Sequence, residues 1–313
     1  MRAIQQTQWG EMDSLDFVDV ARPTPTATEV LVRVHAVGVN PIDYHTAMGR
    51  GYMDAVTLPH IPGWDIAGVV EEVGFGTNRF TPGDAVFGFP LFPRAAGGFA
   101  EYVVAPSRQL ALKPVHASFE EAAAVALAGL TAWQMLNDVA KIGGGSKVLV
   151  NGAAGGVGHL AVQIAAHLGA HVVGVARQPK HEFVTGLGAH QVIDYTSTVV
   201  TDVVQDADVV IELAGGDATI PLLGALRPGG LLISARKLPD ISEIRRAAAD
   251  LSVRADSFVA EPDYAGLEHL ATLMTDGHLT AEVSEVLPFD DGIAALQAIP
   301  DGHRTGKTVL KIR

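Results

Sequence analysis

The glycine-rich segment KVLVNGAAGGVG, at residues 147–158, has the composition of a turn that binds the phosphates of a dinucleotide. Residues 148–150 are apolar and mostly β-branched, which predicts a short buried strand before the turn. After the turn, Leu160, Ile164 and Leu168 recur every four residues and predict one apolar face of a helix. This order places the positive end of a helix dipole at the turn, where phosphates bind.

The glycines of this segment have separate structural roles. Ala153, Gly155 and Gly158 fill the three glycine positions of the G-x-G-x-x-G fingerprint, so the first position departs from the pattern. Gly152 can make the tight turn in its place, Gly155 lets the backbone approach the pyrophosphate, and Gly158 lets helix and strand pack closely. An ordinary strand-to-helix turn is the alternative. The predicted cofactor-binding residues of this turn are Ala154, Gly155, Gly156, Val157 and Gly158.

The end of the next predicted strand indicates which cofactor is bound. An NAD site places Asp or Glu there to accept hydrogen bonds from the ribose hydroxyls. This chain reads VARQPK at residues 175–180, with no carboxylate to repel a 2′-phosphate, while Arg177 and Lys180 can each pair with one. The sequence therefore predicts NADPH. The alternative is that both cations are solvated residues at the start of a helix.

The composition describes a globular chain without a metal site. Of its 313 residues, 48% are apolar and 18% are charged, which is enough for a sizeable core in one large or two ordinary domains. The chain has no cysteine, and its 12 histidines show no H-E-x-x-H pairing. Zinc sites usually draw on these residue types at characteristic spacings, so we expect no bound metal.

Charge and hydropathy exclude several kinds of partner. The formal net charge is −13 and no basic run is present, which disfavours nucleic acid and anionic membranes as partners. No apolar run approaches the ~20 residues that span a bilayer, and no signal peptide is recognised. We expect a cytoplasmic protein that acts on a small molecule.

The hydrophobic pattern divides the chain near residue 117. Before it, short alternating runs between Gly and Pro turns predict a partly closed antiparallel β-barrel. After it the sequence is alanine-rich, and Ser118 followed by Glu121 is a helix-capping pattern. Strands then alternate with helices, which predicts a doubly wound parallel sheet. The predicted strands are 171–176, 191–194, 209–213, 231–235 and 253–259, followed by a helix at 264–275 and a strand at 308–312.

Seven motifs spread along the chain give it a family resemblance. They are GVNPID at 38–43, PGWDIAGVV at 62–70, FTPGDAV at 80–86, GGFAEYVV at 97–104, GLTAW at 129–133, NGAAGGVG at 151–158 and HRTGKTVL at 303–310. Together they resemble the zinc-independent quinone oxidoreductase branch of the medium-chain dehydrogenase/reductase superfamily, which includes zeta-crystallin. The resemblance implies an α/β protein with a GroES-like β-barrel catalytic domain at 1–116, completed by 262–313, and a Rossmann NADPH-binding domain at 117–261.

The same resemblance bears on metal chemistry. The zinc alcohol dehydrogenases of that superfamily have a cysteine and a histidine at two positions where this chain has Asn40 and Trp64. Neither residue supplies the thiolate or imidazole that a catalytic zinc requires, so a metal-free mechanism is implied. Asn40 is a candidate catalytic residue, with a turn residue before Pro41 as the alternative. We interpret Trp64 as a core aromatic residue.

Further site residues follow from the resemblance. Thr131 looks like the family threonine near the nicotinamide, and Tyr195 like the tyrosine that flanks the 2′-phosphate. Lys307, in the last motif, is assigned to the cofactor. In the pocket segment 44–52, Tyr52 is a candidate hydrogen-bond donor to a substrate carbonyl oxygen, and an exposed loop tyrosine is the alternative.

The sequence is consistent with three functions. The first is an NADPH-dependent quinone reductase, and the second is an enoyl or alkenal reductase that acts on α,β-unsaturated carbonyls. Both acceptors take hydride at carbon with charge delocalised onto oxygen, so they need little electrophilic help. The third is a cofactor-binding sensor or structural protein with little turnover. The resemblance also implies a homodimer, paired through the sheet edge around residues 252–259.

Overall fold

A computed structural model describes residues 1–235, 241–299 and 304–313. Within these ranges the chain forms two units, one made of Met1–Leu130 with Glu261–Arg313 and the other of Thr131–Ala260. The first unit extends past the expected boundary near residue 117. The reason is that the helix after this point is tied to the first unit, where the Leu127 N–H donates to the Asp65 carboxylate at 2.6 Å.

The described residues form the following strands, in chain order: β1 (Arg2–Gln6), β2 (Leu15–Asp19), β3 (Glu29–Val39), β4 (Ile66–Val73), β5 (Ala85–Gly88), β6 (Tyr102–Pro106), β7 (Leu110–Leu112), β8 (Lys147–Asn151), β9 (His171–Val175), β10 (Gln191–Ile193), β11 (Ala207–Glu212), β12 (Leu226–Ser234), β13 (Arg254–Ser257), β14 (Val283–Pro288) and β15 (Lys307–Lys311). Their α-helices are α1 (Pro41–Ala47), α2 (Phe119–Trp133), α3 (Gly158–His167), α4 (His181–Gly186), α5 (Val200–Val203), α6 (Ile241–Asp250), α7 (Tyr264–Thr275) and α8 (Gly292–Gln297).

The first unit is built on strand β3. The described strands around it follow the order β14–β15–β3–β4–β5–β7, and β6 also pairs with β3. Along one side of β3, β6 pairs with residues 29–33 and β15 with residues 36–39, while β4 occupies the other side. Register shifts between β3 and β4 bend the strand at two places. The pairs are antiparallel, except that β14 runs parallel to β15.

The core of the first unit explains why the C-terminal segment returns to it. Val30, Val32 and Val34 of β3 are fully buried and belong to one core cluster. Phe289 and Leu310 from the C-terminal segment pack into the same cluster. Burying one such side chain stabilises the fold by about 1.5–3 kcal/mol, so this segment completes the core.

The second unit contains the predicted parallel sheet. Its described strands follow the order β10–β9–β8–β11–β12–β13, and every neighbouring pair is parallel. The chain order reverses at β8, which has β9 on one side and β11 on the other. In open α/β sheets a ligand binds at the carboxyl ends of the strands beside such a point. The glycine turn that follows β8 lies there, and the predicted doubly wound fold is confirmed.

Two strands differ from the prediction. β14 was not predicted, because its sequence VSEVLP is short and mostly exposed, with β15 as its neighbour among the described strands. β12 begins at Leu226 rather than near residue 231, since its first residues include Pro228 and Gly229, a combination typical of a turn. Both strands are supported by tertiary pairing that a local pattern does not reveal.

Strand β13 lies at one edge of the parallel sheet. Within the described chain its neighbour is β12. The Phe258 N–H, just beyond β13, donates to the Ser234 carbonyl of β12 at 2.7 Å. Backbone groups alternate in direction along a strand, so the N–H groups of Ala255 and Ser257 point away from β12. β13 therefore presents backbone groups at an edge, as the sequence predicts.

Candidate active site

The glycine turn joins β8 to α3. Gly152 has a φ of 84°, a left-handed conformation that glycine adopts without strain, so it makes the tight turn ahead of Ala153. A Cβ atom on Gly158 would lie 2.1 Å from the Gly152 carbonyl oxygen. A Cβ atom on Gly155 would meet, among the described residues, only that same oxygen at 3.3 Å. The backbone is packed tightly at Gly158, where helix and strand meet, and has space beside it at Gly155. This space fits the approach of a pyrophosphate.

Hydrogen bonds fix this turn to the strands on both sides. The Ala153 N–H donates to the Val175 carbonyl of β9 at 3.1 Å, and the Leu213 N–H after β11 donates to the Asn151 carbonyl at 3.2 Å. The start of α3 at Gly158 brings the positive end of its dipole to the turn. The predicted segment from Ala154 to Gly158 thus has the geometry of an anion site.

Arg177 and Tyr195 meet at the end of β9, and Lys180 follows three residues after Arg177. The Nε of Arg177 donates to the Tyr195 hydroxyl at 2.8 Å, and the Arg177 Cζ lies 5.9 Å from the centroid of that ring. Burial lowers the pKa of Lys180, and the positive charge of Arg177 lowers it further. The two cations are therefore close enough to repel, and a bound dianion would relieve this repulsion.

The acidic residue of this region is engaged in its own loop. The Asp194 carboxylate accepts hydrogen bonds from the N–H and hydroxyl of Thr196, at 2.9 and 2.7 Å, and from the Gln178 N–H at 3.1 Å. The Thr196 bonds are the main cause that lowers the pKa of Asp194. The Asp194 carboxylate is therefore held by donors of its own loop and of the segment after β9.

A buried charge cluster, made of Asn40, Asp43, Asp65 and Lys307, lies in the first unit. Asn40 Nδ2 donates to Asp65 Oδ2 at 2.7 Å and to the Gly38 carbonyl at 3.3 Å, and Asn40 Oδ1 accepts a hydrogen bond from the Lys307 ammonium. Lys307 Nζ also lies 3.7 Å from Asp65 Oδ2. All four residues are at most 5% exposed. The Asn40 amide therefore bridges a buried ion pair.

Burial sets the protonation of this cluster. It raises the pKa of Asp43 to about 8 and also raises that of Asp65, while it lowers the pKa of Lys307. Asp43 Oδ2 accepts from the Asn40 N–H at 2.8 Å, whereas Oδ1 is buried with no hydrogen-bond partner in the described structure. At neutral pH the Asp43 carboxyl is therefore mainly protonated, and Lys307 is the ion-pair partner of Asp65.

These residues do not fit a catalytic zinc. The Asn40 amide is occupied by Asp65 and Lys307, and the Lys307 ammonium already places a cation beside it. The Trp64 side chain is 2% exposed, and its indole N–H donates to the Arg94 carbonyl at 2.7 Å. No group of three or more His, Cys, Asp or Glu side chains in the described ranges is arranged to hold a metal ion. A zinc site needs several such ligands converging on one point.

Tyr52 belongs to an aromatic group rather than to the buried charge cluster. Its ring packs edge-to-face on Phe92, with centroids 5.0 Å apart, and Phe92 packs in the same way on Trp64 at 5.3 Å. Tyr52 is half-buried, and burial raises its pKa. Its backbone N–H donates to Thr46 Oγ1 at 3.2 Å. The phenol is therefore protonated at neutral pH and held on one side by an apolar ring.

The remaining predicted residues are placed separately. Thr131 lies in α2, is 7% exposed and begins the second unit. Lys307 lies in the first unit, with its ammonium engaged by Asn40 and the Val39 carbonyl, whereas the other predicted cofactor residues belong to the second unit. Its role as a cofactor contact stays a prediction. His303, the first residue of the last motif, lies outside the described residues.

Sequence reasoning missed several polar residues of these regions. Asp43 and Asp65 lie within two of the motifs, but no local signal shows that Asp65 pairs with Lys307. Asn151 and Glu212 are the last residues of the adjacent strands β8 and β11, and Glu212 is fully buried. Their position at the carboxyl ends of buried strands is a signal that was available, because ligands of parallel sheets bind at those ends.

Comparison with known proteins identifies relatives over the whole length of the chain. Two protein-family descriptions match: "Alcohol dehydrogenase GroES-like domain" over residues 26–115 and "Zinc-binding dehydrogenase" over residues 187–310. The chain is 32% identical to "Quinone-oxidoreductase homolog, chloroplastic" of Spinacia oleracea, covering 99% of this chain and 98% of that protein. It is 34% identical to the "2-methylene-furan-3-one reductase" of Solanum lycopersicum, covering 99% and 79%.

A solved structure agrees with these relatives. The quinone oxidoreductase from Coxiella burnetii superposes with a TM-score of 0.93 at 34% identity, covering 100% of this chain and 99% of that one. The similarity spans both units, so the predicted combination of a GroES-like and a Rossmann domain is confirmed. No helix in the described part of the chain is long and apolar enough to cross a bilayer.

Proposed function

The chain belongs to the quinone oxidoreductase branch of the medium-chain dehydrogenase/reductase superfamily, and we propose that it is an NADPH-dependent, zinc-independent reductase that transfers hydride to a quinone. Family membership makes it an oxidoreductase that binds a nicotinamide dinucleotide. NADPH as the cofactor and a quinone as the acceptor are the proposal.

The buried charge cluster is the observation that carries this proposal. Where zinc alcohol dehydrogenases have a metal ligand, Asn40 bridges Lys307 and Asp65 inside the protein. A site without a Lewis acid gives little help to an unactivated carbonyl, so it favours an acceptor that delocalises the incoming charge itself. Quinones and enones meet this requirement, and simple ketones do not.

The preference for NADPH is supported by the end of β9. Arg177 and Lys180 lie together there, and Tyr195 holds the Arg177 guanidinium through its hydroxyl. An arginine and a lysine can bind a 2′-phosphate with charge-assisted hydrogen bonds, each worth roughly 1.5–3 kcal/mol. NADH lacks this phosphate and gains nothing from the two cations.

The protein residues have distinct tasks in the proposed reaction. The cofactor, when bound, supplies the hydride. The glycine turn from Gly152 to Gly158 holds the pyrophosphate, since its open side at Gly155 admits a phosphate. Tyr52 is a neutral phenol on an aromatic wall, so it can donate a hydrogen bond to the acceptor oxygen as negative charge develops there. Asn40 and Thr131 are the further catalytic candidates. Asn40 would act through its hydrogen bond with the Lys307 ammonium.

A direct assay tests the function. Purified protein is mixed with NADPH and then with 1,4-benzoquinone, with a 2-enal or with a simple ketone, and NADPH oxidation is followed at 340 nm. We expect oxidation with the quinone and none with the ketone. Turnover of the ketone as fast as the quinone would contradict the proposal, as would faster oxidation of NADH than of NADPH.

The second candidate function is reduction of α,β-unsaturated carbonyls. It is favoured by the similarity to the Solanum lycopersicum relative, which is named a 2-methylene-furan-3-one reductase. The two acceptor classes need the same hydride transfer to carbon, and the 2-enal arm of the assay separates them. A protein that binds NADPH but turns over neither acceptor would instead be the third candidate, a sensor or structural protein.

We further propose a homodimer paired through β13, with the cytoplasm as its location. The outward N–H of Ala255 can donate to a second copy across a two-fold axis, which would satisfy both edges at once. Light scattering should give the mass of a dimer at micromolar concentration. Ala255→Pro removes that edge donor and spares the ladder to β12, so it should give a folded monomer. Wild-type protein that is already monomeric would contradict this proposal.

A further inference from the structure

Glu212, the last residue of β11, holds a buried carboxylate beside the glycine turn. The residue is fully buried, and its two oxygens accept three hydrogen bonds. Oε2 accepts from Asn151 Nδ2 at 2.9 Å, and Oε1 accepts from the N–H groups of Ala214 and Gly215, each at 2.7 Å. All three donors are neutral amides. Burying a carboxylate removes it from water at a large cost in free energy. The three donors offset this cost by replacing its hydration.

The loop that Glu212 holds lies against the cofactor turn. Glu212 and Asn151 are register partners on the parallel strands β11 and β8. Beyond them, a Cβ atom on Gly152 would lie 3.5 Å from Leu213 Cβ and 3.6 Å from the Ala214 nitrogen, which is van der Waals contact. Gly215 has a φ of 73°, so the backbone turns sharply to aim its N–H at the carboxylate. The carboxylate thus clamps residues 213–215 to the turn after β8.

The order of the strands indicates which half of the cofactor this loop serves. Arg177 follows β9 on one side of β8, and Glu212 ends β11 on the other side. A dinucleotide with its 2′-phosphate end at β9 and its pyrophosphate at the glycine turn must extend its nicotinamide half toward β11. The clamped loop lies in the path of that half.

We propose that Glu212 is a positioning residue for the nicotinamide half of the cofactor. It acts through the loop 213–215, which it fixes against the glycine turn. The carboxylate accepts all three hydrogen bonds at once, whereas a methionine of similar length accepts none of them and leaves the three donors unpaired. The proposal rests on the proposed function only in that a nicotinamide dinucleotide binds, and it does not depend on the choice between NADPH and NADH.

The test compares Glu212→Met with a control on the same strand, Asp208→Asn. Asp208 bridges the same two strands at their other end, where its carboxylate accepts from the Lys147 N–H at 2.7 Å. Binding of NADPH and of its adenosine half, 2′,5′-ADP, is measured by calorimetry, and amide hydrogen exchange is followed in the cofactor-free protein. For Glu212→Met we expect NADPH binding weakened about tenfold or more, because the released loop must be ordered when the cofactor binds, with 2′,5′-ADP binding unchanged. The peptide containing Ala214 and Gly215 should exchange faster.

The control and the other outcomes decide the proposal. Asp208→Asn should leave both affinities unchanged, even where it lowers the melting temperature. Equal weakening of NADPH and 2′,5′-ADP, or unchanged NADPH binding, would overturn the positioning role. If Glu212→Met does not fold, Glu212→Asp keeps the carboxylate but withdraws it by one methylene, and the same selective loss of NADPH binding is expected. If the wild type binds only NADH, the same comparison is made with NADH and ADP, and only the NADPH preference has failed.

Discussion

The two charged regions of this protein differ in what satisfies their charges. In the buried charge cluster of the first unit, Lys307, Asn40 and Asp65 are bonded to one another and almost wholly shielded from water. At the end of β9 in the second unit, Arg177 and Lys180 lie near each other, and Tyr195, half-exposed, orients the guanidinium. One set of charges is bonded together in the interior, and the other consists of two neighbouring cations near the surface.

The difference shows how charge indicates function. A buried ion pair with all its hydrogen bonds made is internally neutral, so it can replace a metal without attracting a ligand. Two like charges near the surface repel each other, and this cost falls when a phosphate binds between them. Substitutions in the buried charge cluster should therefore change the free energy of unfolding most. Substitutions at the end of β9 should change the affinity for the cofactor.

Lys307→Met should give the largest effect, because it leaves the Asp65 carboxylate buried without its cation. Removing one partner of a buried ion pair costs about 3–5 kcal/mol, and we expect the free energy of unfolding in urea to fall by this amount. Lys311→Met, at the exposed end of the same strand, should change it by less than about 0.5 kcal/mol. An unchanged unfolding energy together with selectively weakened NADPH binding would instead support Lys307 as a cofactor contact.

Arg177→Ala should weaken the binding of NADPH and not that of NADH. Loss of one charge-assisted hydrogen bond corresponds to about 1.5–3 kcal/mol, or roughly tenfold to a hundredfold in Kd. Fluorescence titration with both cofactors measures the effect. Arg227→Ala, which removes an exposed guanidinium paired with Asp208, should leave both affinities unchanged. Equal losses for NADPH and NADH would show that the end of β9 does not recognise the 2′-phosphate.

Asp43→Asn should flatten the pH dependence of stability. The pKa of Asp43 in the folded protein is raised to about 8, above the ~3.9 of an unfolded chain, so the folded state binds this proton more tightly. The stability that Asp43 contributes is thus present below about pH 4 and is lost as pH rises through about 8, by at most about 1.4 kcal/mol per pH unit. Urea unfolding between pH 5 and 8 measures the slope. The exposed control Asp54→Asn should keep the wild-type slope, and the same slope in Asp43→Asn would contradict this assignment.

Chelation should give no effect at all. Asn40 and Trp64 offer no ligand that fits a catalytic zinc, so EDTA should leave the rate of NADPH oxidation unchanged. Elemental analysis of the purified protein provides the second measurement. One tightly held zinc per chain, with activity lost on its removal, would show that the buried charge cluster does not replace the metal.

Much of the fold could be predicted from local patterns. The helix at 264–275 was predicted with the bounds it has, and the Ser118–Glu121 capping pair forms through reciprocal hydrogen bonds of 3.0 and 2.7 Å. Strand β14 was missed because its residues are mostly exposed and gain their hydrogen bonds from β15, far along the chain. Periodicity shows which faces are buried, and it does not show which strands pair at an exposed edge.

The sequence by itself determined the family, the alternation of strands and helices, and the glycine turn with the cations that follow β9. These depend on residues close together in the chain, where spacing fixes geometry. Only the tertiary structure decided that Asn40 meets Asp65, 25 residues away, and Lys307, 267 residues away. It also decided that Glu212 meets Asn151 across two strands, 61 residues apart. Such pairs form because packing brings distant buried polar groups within hydrogen-bonding distance, and a buried charge must find partners there.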